Sequence, residues 1–352
     1  MESIRGRMGE VVKPSDKPSF ADGLSAFWNR TVFSVRLIFE EKELLTFALL
    51  QWVCIGIGYY LWVQMLGWLP DEMWERAANS SHGGRLGDYI MLAWSFLCVG
   101  VATFPMSILS GCMGAVYFLK AQGKESTIPA CLKIVLPATR DLWLFHWVDG
   151  WWTVVRILAR LPKKRGESPV ERAVNEAVYY AWKVATIGIL PGLVTGRGLM
   201  DAGRRSLGMV KSRLRDVLLL RGGYSALCWI VGIASYIFSI WFFIAFPEFR
   251  YQGQQFMYRF YFWMAVPVLC ASGVVLVFLR PVYIISACAI YTDYVQTERK
   301  ESIMVPARPG QKRGSFDFAF TMAVIIAVVL LAVVFTPGHF GIGELVAGSW
   351  TR

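Results

Sequence analysis

Two short sets of side chains have the type and spacing to do chemistry. His146 and Asp149 stand three residues apart, which puts an imidazole and a carboxylate on one helix face, the pairing used to ligate a metal or pass a proton. The other two histidines, His82 and His339, fall in distant segments, so no metal centre is expected. The stripe His146, Asp149, Thr153, Arg156 and Arg160 opposes Trp143, Trp147, Trp151, Val155 and Leu158 and reads as a solvated polar face over a tryptophan keel. Glu176 and Lys183 lie two turns apart on a second, otherwise apolar helix. At bilayer depth either charge would cost several kcal/mol unless paired or wet, so a spanning helix would make them a proton or solute relay. In a helix lying on the surface both would face headgroups, and that is the expectation. Gly192-Leu193-Val194-Thr195-Gly196-Arg197-Gly198 lacks the lysine and Ser/Thr of a phosphate loop and reads as a turn between helices. The seven cysteines lack the pair spacing of a zinc or redox site and read as small core residues. No catalytic, cofactor-binding or metal-binding residue is assigned, and no cofactor is expected.

The elements around these residues follow from composition. The chain has 352 residues, 55% hydrophobic and 17% charged, with a mean hydropathy of +0.45, which excludes an ordinary soluble enzyme. Apolar runs long enough to cross a hydrocarbon core occur at Leu44–Leu69, Tyr89–Leu119, Gly222–Phe246, Phe260–Leu279 and Phe318–Phe335. Ahead of them, 1–43 reads as a polar tail and an amphipathic helix from Ser19, and 44–119 holds the first two spans. The block 120–221 carries 18 Lys+Arg against eight acidic residues, with interfacial helices over 139–161, 173–195 and Leu199–Leu220. Residues 222–291 hold the next two spans, 292–315 a charged linker, and 316–352 the last span and tail. Arg280 ends the uncharged run Phe260–Leu279 and is expected as an interface anchor. Beyond Pro281, Val282–Tyr291 is either a kinked extension or a separate interfacial segment. The net charge of +11 reports orientation, with no nucleic-acid motif beside it. Lys and Arg concentrate before Glu43, in the central block and in 292–314, which predicts a bacterial inner-membrane protein with a cytosolic N-terminus and an external C-terminus. Lys163, Lys164 and Arg165 then belong in the cytosol. The fold class is all-α: a polytopic integral membrane helical bundle of about five transmembrane helices plus amphipathic interfacial helices. Seven spans result if the first two helices of the central block dip through as a hairpin.

Several ordered segments resemble an uncharacterised family of prokaryotic multi-pass membrane proteins. They are Phe27-Trp28 through Glu41-Lys42-Glu43-Leu44-Leu45, Gly123-Lys124-Glu125-Ser126-Thr127, Trp182 through Pro191-Gly192-Leu193-Val194, Gly198 through Arg204-Arg205-Ser206, and Ala287-Cys288-Ala289-Ile290-Tyr291. The match runs over about residues 20–320, and its last span and Thr195-Gly196-Arg197 depart from the family pattern. The resemblance implies architecture and no reaction.

Two surfaces complete the expectations. Arg204, Arg205, Lys211, Arg213 and Arg215 form a basic helix suited to anionic lipid, at about 1 kcal/mol each before screening, or to an acidic partner. Ser107, Gly111 and Ala115 form a small-residue face on which another helix can pack closely, from this chain, another subunit or a second copy. With no catalytic constellation, the leading expectation is a non-enzymatic subunit or scaffold of a membrane complex. The alternatives are a transporter or channel component with Glu176 and Lys183 lining a polar path, and a membrane-embedded lipid enzyme.

Overall fold

The computed structural model describes residues 20–68, 86–159, 169–249 and 256–301, and among them the structure is helical without a strand. The helices are α1 (Phe20–Glu40), α2 (Lys42–Trp68), α3 (Leu86–Ala121), α4 (Ile128–Val135), α5 (Thr139–Ala159), α6 (Pro169–Ala185), α7 (Ile189–Val194), α8 (Leu199–Ser212), α9 (Leu214–Ala245), α10 (Phe256–Val274) and α11 (Arg280–Glu298). Four described segments are long and apolar enough to cross a membrane: Leu92–Ala121, Ala173–Val194, Leu214–Ala245 and Val266–Glu298. The expected span Phe318–Phe335, Arg160 of the polar stripe and Lys163, Lys164 and Arg165 lie outside the described residues.

α3 is the axis of the bundle. Its second half, from Cys112 to Leu119, is buried on all sides, and α2 and α5 both run antiparallel to it. On the α2 side a Cβ at Gly58 would stand 3.1 Å from Ala102, and Gln51 Nε2 donates to Met106 O at 2.9 Å. On the α5 side Trp143 Nε1 donates to Gly100 O at 2.8 Å, and Trp147 Nε1 to Phe96 O at 3.2 Å. Phe96 also meets the Trp151 ring edge-on at 5.0 Å. The tryptophan keel therefore packs on α3 and does not face outward. Indole N–H groups buried beside a helix need acceptors, and these backbone carbonyls supply them.

Two glycines end helices where the backbone must turn left-handed. Gly123, with φ 71°, closes α3 as Lys124 N–H reaches back to Leu119 O. Gly196, with φ 83°, closes α7 as Arg197 N–H reaches Gly192 O. The expected helix Leu199–Leu220 is broken instead at Arg213, whose backbone leaves the helical region, so α9 starts eight residues before the expected Gly222. Pro281 does not end its helix. Five residues of π-helix, Val275–Leu279, join α10 to α11, and the Arg280 N–H reaches back to Val275 O. The extra residue absorbs the disruption that proline brings to the preceding turn and turns the following face by about 100°. Val282–Tyr291 is thus a kinked extension, largely buried against α3 and α1.

The outer surface is apolar. On α9, Trp229, Ile230, Ile233, Ile237, Phe238, Trp241 and Ile244 are all more than half exposed, and Leu97 and Val101 continue the pattern on α3. Contiguous exposed apolar surface of this extent is what a lipid-facing wall looks like.

Candidate functional site

The described part of the α5 polar stripe, from His146 to Thr153, points inward. Its tryptophans occupy the α3 side, which leaves His146, Asp149 and Thr153 facing α6 and α11. His146 is only 9% exposed, and its Nδ1–H donates to Leu142 O at 2.9 Å, one turn back on its own helix. With Nδ1 donating, Nε2 is the acceptor corner of the ring in its neutral form, and among the described residues it has no hydrogen-bond partner. The expectation of a solvated stripe is corrected for His146, Asp149 and Thr153, which lie between α3 and α6 and are at most partly accessible, while Arg140 at the start of the helix is exposed.

α6 carries the matching half. Lys183 Nζ lies 2.5 Å from Asp149 Oδ1, Trp182 Nε1 donates to the same oxygen at 3.2 Å, and the Tyr179 and Thr153 hydroxyls stand 3.5 Å apart. The two helices meet through these long side chains and the stacked Trp152–Trp182 pair more than through close backbone approach. The other face of α6, with Ala173, Val174, Ala177, Val178 and Ala181, is exposed and apolar. Polar inward and apolar outward is the reverse of a helix lying between core and water. Glu176 is half-buried on the Lys183 side of α6, two turns away, with its own interaction partner.

The depth of this pair follows from α3. A Cβ at Gly150 would stand 3.2 Å from both Thr103 and Val99, so Asp149 sits level with the middle of the 36-residue α3, about 25 Å along the helix from Lys120. Yet the Asp149 and Lys183 side chains keep 26% and 13% of their accessible surface. The pair is central without being sealed.

Arg280 joins the same centre and corrects its expected role as an interface anchor. The π-turn rotates it towards α3, where its Nη2 donates to Ser110 Oγ at 3.1 Å, and that hydroxyl also accepts from Gln51 Nε2 at 2.7 Å. Arg280 lies within electrostatic range of Asp149, Tyr224 and Tyr283, and His146 feels Arg280, Asp149 and Lys183 together. The Tyr224 and Tyr283 rings pack at 4.6 Å, and the Arg221 guanidinium stands 5.9 Å over the Tyr283 ring. The sequence signal for Arg280 was weak, because an arginine closing an apolar run usually marks the membrane edge, and only the π-turn redirects it.

No family model, curated protein or solved structure matches the chain. The resemblance to a prokaryotic membrane-protein family therefore stays an expectation carried by its motifs.

The remaining expected residues fall elsewhere. Ser107, Gly111 and Ala115 are buried inside the chain: a Cβ at Gly111 would stand 2.8 Å from Val135 Cγ1 and 3.0 Å from Leu142 Cδ1. The small-residue face thus receives α4 and the start of α5. Of the basic set, Arg204 and Lys211 are exposed. Arg205 is buried against Asp201 (3.1 Å) and Glu301 (3.0 Å), Arg213 is paired with Asp293 at 3.2 Å, and Arg215 packs beside Gly23. A docking face of five exposed cations is corrected to two, because carboxylates claim Arg205 and Arg213 and Arg215 is half-buried against α1. Cys131 is buried, which pushes its thiol up to about 12 and leaves it inert. Among the described residues no group of three His, Cys, Asp or Glu side chains is arranged to hold a metal ion.

Proposed function

We propose that the protein is a multi-pass membrane transport protein in which α5 and α6 cross as a hairpin and relay protons through the Asp149–Lys183 centre. The observation that carries this is the ion pair itself: 2.5 Å long, partly accessible, level with the middle of α3, on a helix whose outward face is apolar. Intramembrane ionisable residues are costly and persist where they bind or move something. His146 adds an imidazole whose Nε2 has no hydrogen-bond partner among the described residues, a group suited to receiving and returning a proton. The scaffold reading rests on small-residue faces, interfacial helices and the lack of a catalytic constellation, and of these the Ser107–Gly111–Ala115 face is used within the chain.

This reading takes the seven-span alternative, with the basic end of the bundle in the cytosol of a bacterial inner membrane, Arg204 and Lys211 at its anionic leaflet, and an external C-terminus. Since α5 runs antiparallel to α3, the connection between α5 and α6 emerges on the face opposite Lys120, against the positive-inside expectation for Lys163, Lys164 and Arg165. A cysteine at Lys164 should be labelled by an impermeant thiol reagent in intact cells. Protection there, with labelling in opened cells, would return the chain to five spans.

The relay itself is tested in liposomes holding a trapped pH dye under a potassium–valinomycin potential. The full chain should carry protons faster than empty vesicles, and Asp149→Asn or Lys183→Gln should reduce the rate to that of empty vesicles. Wild-type protein no faster than empty vesicles would restore the scaffold reading.

A further inference from the structure

Among the described residues, the ion pair of the centre leaves further cations without a carboxylate. Asp149 is satisfied by Lys183 and Trp182. Arg280 has no carboxylate within ion-pair distance among the described residues, and its one hydrogen bond goes to a neutral hydroxyl already shared with Gln51. Arg221 is likewise without a carboxylate, and its buried Nε has no acceptor. An arginine cannot escape this cost by losing its proton, as a lysine can. A guanidinium kept in such a place needs an anion or water against it.

We propose that the centre holds a phosphate group, gripped by Arg280 against the Tyr224–Tyr283 wall. This rests on reading the centre as a path rather than as packing. The guanidinium fork matches two oxygens of an oxyanion, and the tyrosine hydroxyls can donate to the others. His146 selects among oxyanions. Among the described residues its Nε2 has no donor, on a side chain nine-tenths buried and within electrostatic range of Arg280, so an oxyanion that also donates can meet both groups at once. A hydrogen phosphate does both: its P–OH donates to His146 while its charged oxygens accept from Arg280. Sulfate and carboxylate at neutral pH only accept. A cationic solute is disfavoured by the same excess of positive charge. The phosphate is either free inorganic phosphate reaching the centre from water or a lipid headgroup entering between helices, and both present the same chemistry to Arg280.

The test uses the purified full chain in neutral detergent, with thermal unfolding and calorimetry. The probes are inorganic phosphate, sulfate at equal ionic strength, and phosphatidic acid in mixed micelles. Phosphate should raise the unfolding temperature more than sulfate does, and Arg280→Gln should weaken that response about tenfold or more. If Arg280→Gln does not fold, Arg280→Lys keeps the charge without the fork and should weaken binding while leaving the unliganded unfolding temperature near wild type. A response to inorganic phosphate assigns a soluble ligand, and a response to phosphatidic acid alone assigns a headgroup. Both support the proposal. Equal responses to phosphate and sulfate, responses unchanged by both Arg280 variants, or no response to either phosphate source would overturn it. Phosphate binding without proton flux would keep this site and remove the relay, and flux without phosphate binding would do the reverse.

Discussion

The bundle contains two clusters of charge that treat their cations differently. At the basic end, half-buried and buried cations meet carboxylates: Arg205 with Glu301 and, on its own helix, Asp201, Arg213 with Asp293, Arg30 with Asp216, and Lys120 with Glu41 at 2.6 Å. In the centre only Lys183 is so matched, while Arg280 and Arg221 sit among tyrosines and a serine. Burial alone does not explain the contrast, since Arg205 at 9% side-chain exposure is as enclosed as any of them. Pairs that tie α1, α3, α8, α9 and α11 together at one end fix how those helices meet. Cations left over in an apolar setting are a standing cost that fold maintenance does not require.

The largest effect should come from breaking the one matched pair of the centre. Asp149→Ala strands Lys183 beside two further cations, and removing one partner of a buried pair costs about 3–5 kcal/mol. Replacing both, as Asp149→Leu with Lys183→Met, leaves no uncompensated charge and should recover most of the loss in thermal unfolding, because apolar substitutes for a buried pair are often neutral. Proton flux should stay absent in both variants. Equal destabilisation of single and double variants would mean that the pair holds the fold as the basic-end pairs do, and the contrast between the clusters would collapse.

The sequence made this contrast only partly legible. The all-helical bundle was legible because apolar runs of span length have few other solutions, and Leu44–Leu69 and Tyr89–Leu119 match α2 and α3 within three residues. The face of α6 that carries Glu176 and Lys183 was also readable from periodicity. What periodicity does not give is which way a face points, since a polar stripe directed at water and one directed at a partner helix have the same spacing. For α5 the answer came from its other side, where Gly100 and Phe96 on α3 accept the tryptophans. The same blindness turned Arg205 and Arg213 into a docking surface, because Glu301 and Asp293 that claim them lie about 80 residues or more further along the chain. Arg280 was hidden for a different reason: a single π-turn rotated it by about 100°, and nothing in an apolar run announces where a π-turn will form.

The smallest effect belongs to the basic end and sharpens the comparison through pH. Beyond α11 the chain turns at Lys300, a non-glycine residue at φ 52°, and Glu301 is held by Arg205 and Arg197. The hydrogen bond from Arg205 keeps the Glu301 carboxyl below its ordinary value, with the charges of Arg205, Arg197 and Arg299 adding to it. Glu301 is 37% exposed, so solvent screening limits the pair to about 1 kcal/mol or less. A carboxyl lowered on folding contributes stability that is present above its unfolded value, about 4.3, and is lost as pH falls through the lower folded value. The difference in unfolding temperature between wild type and Glu301→Gln should therefore be constant from neutral pH to about pH 5 and shrink below about pH 4. Arg205→Gln should reduce that pH dependence, with Arg197 and Arg299 carrying the remainder, and Arg204→Gln, on the exposed face, should leave it intact. A difference that persists undiminished at about pH 3 would mean that Glu301 acts by packing rather than by charge, and the basic end would then no longer be the region where cations are settled by carboxylates.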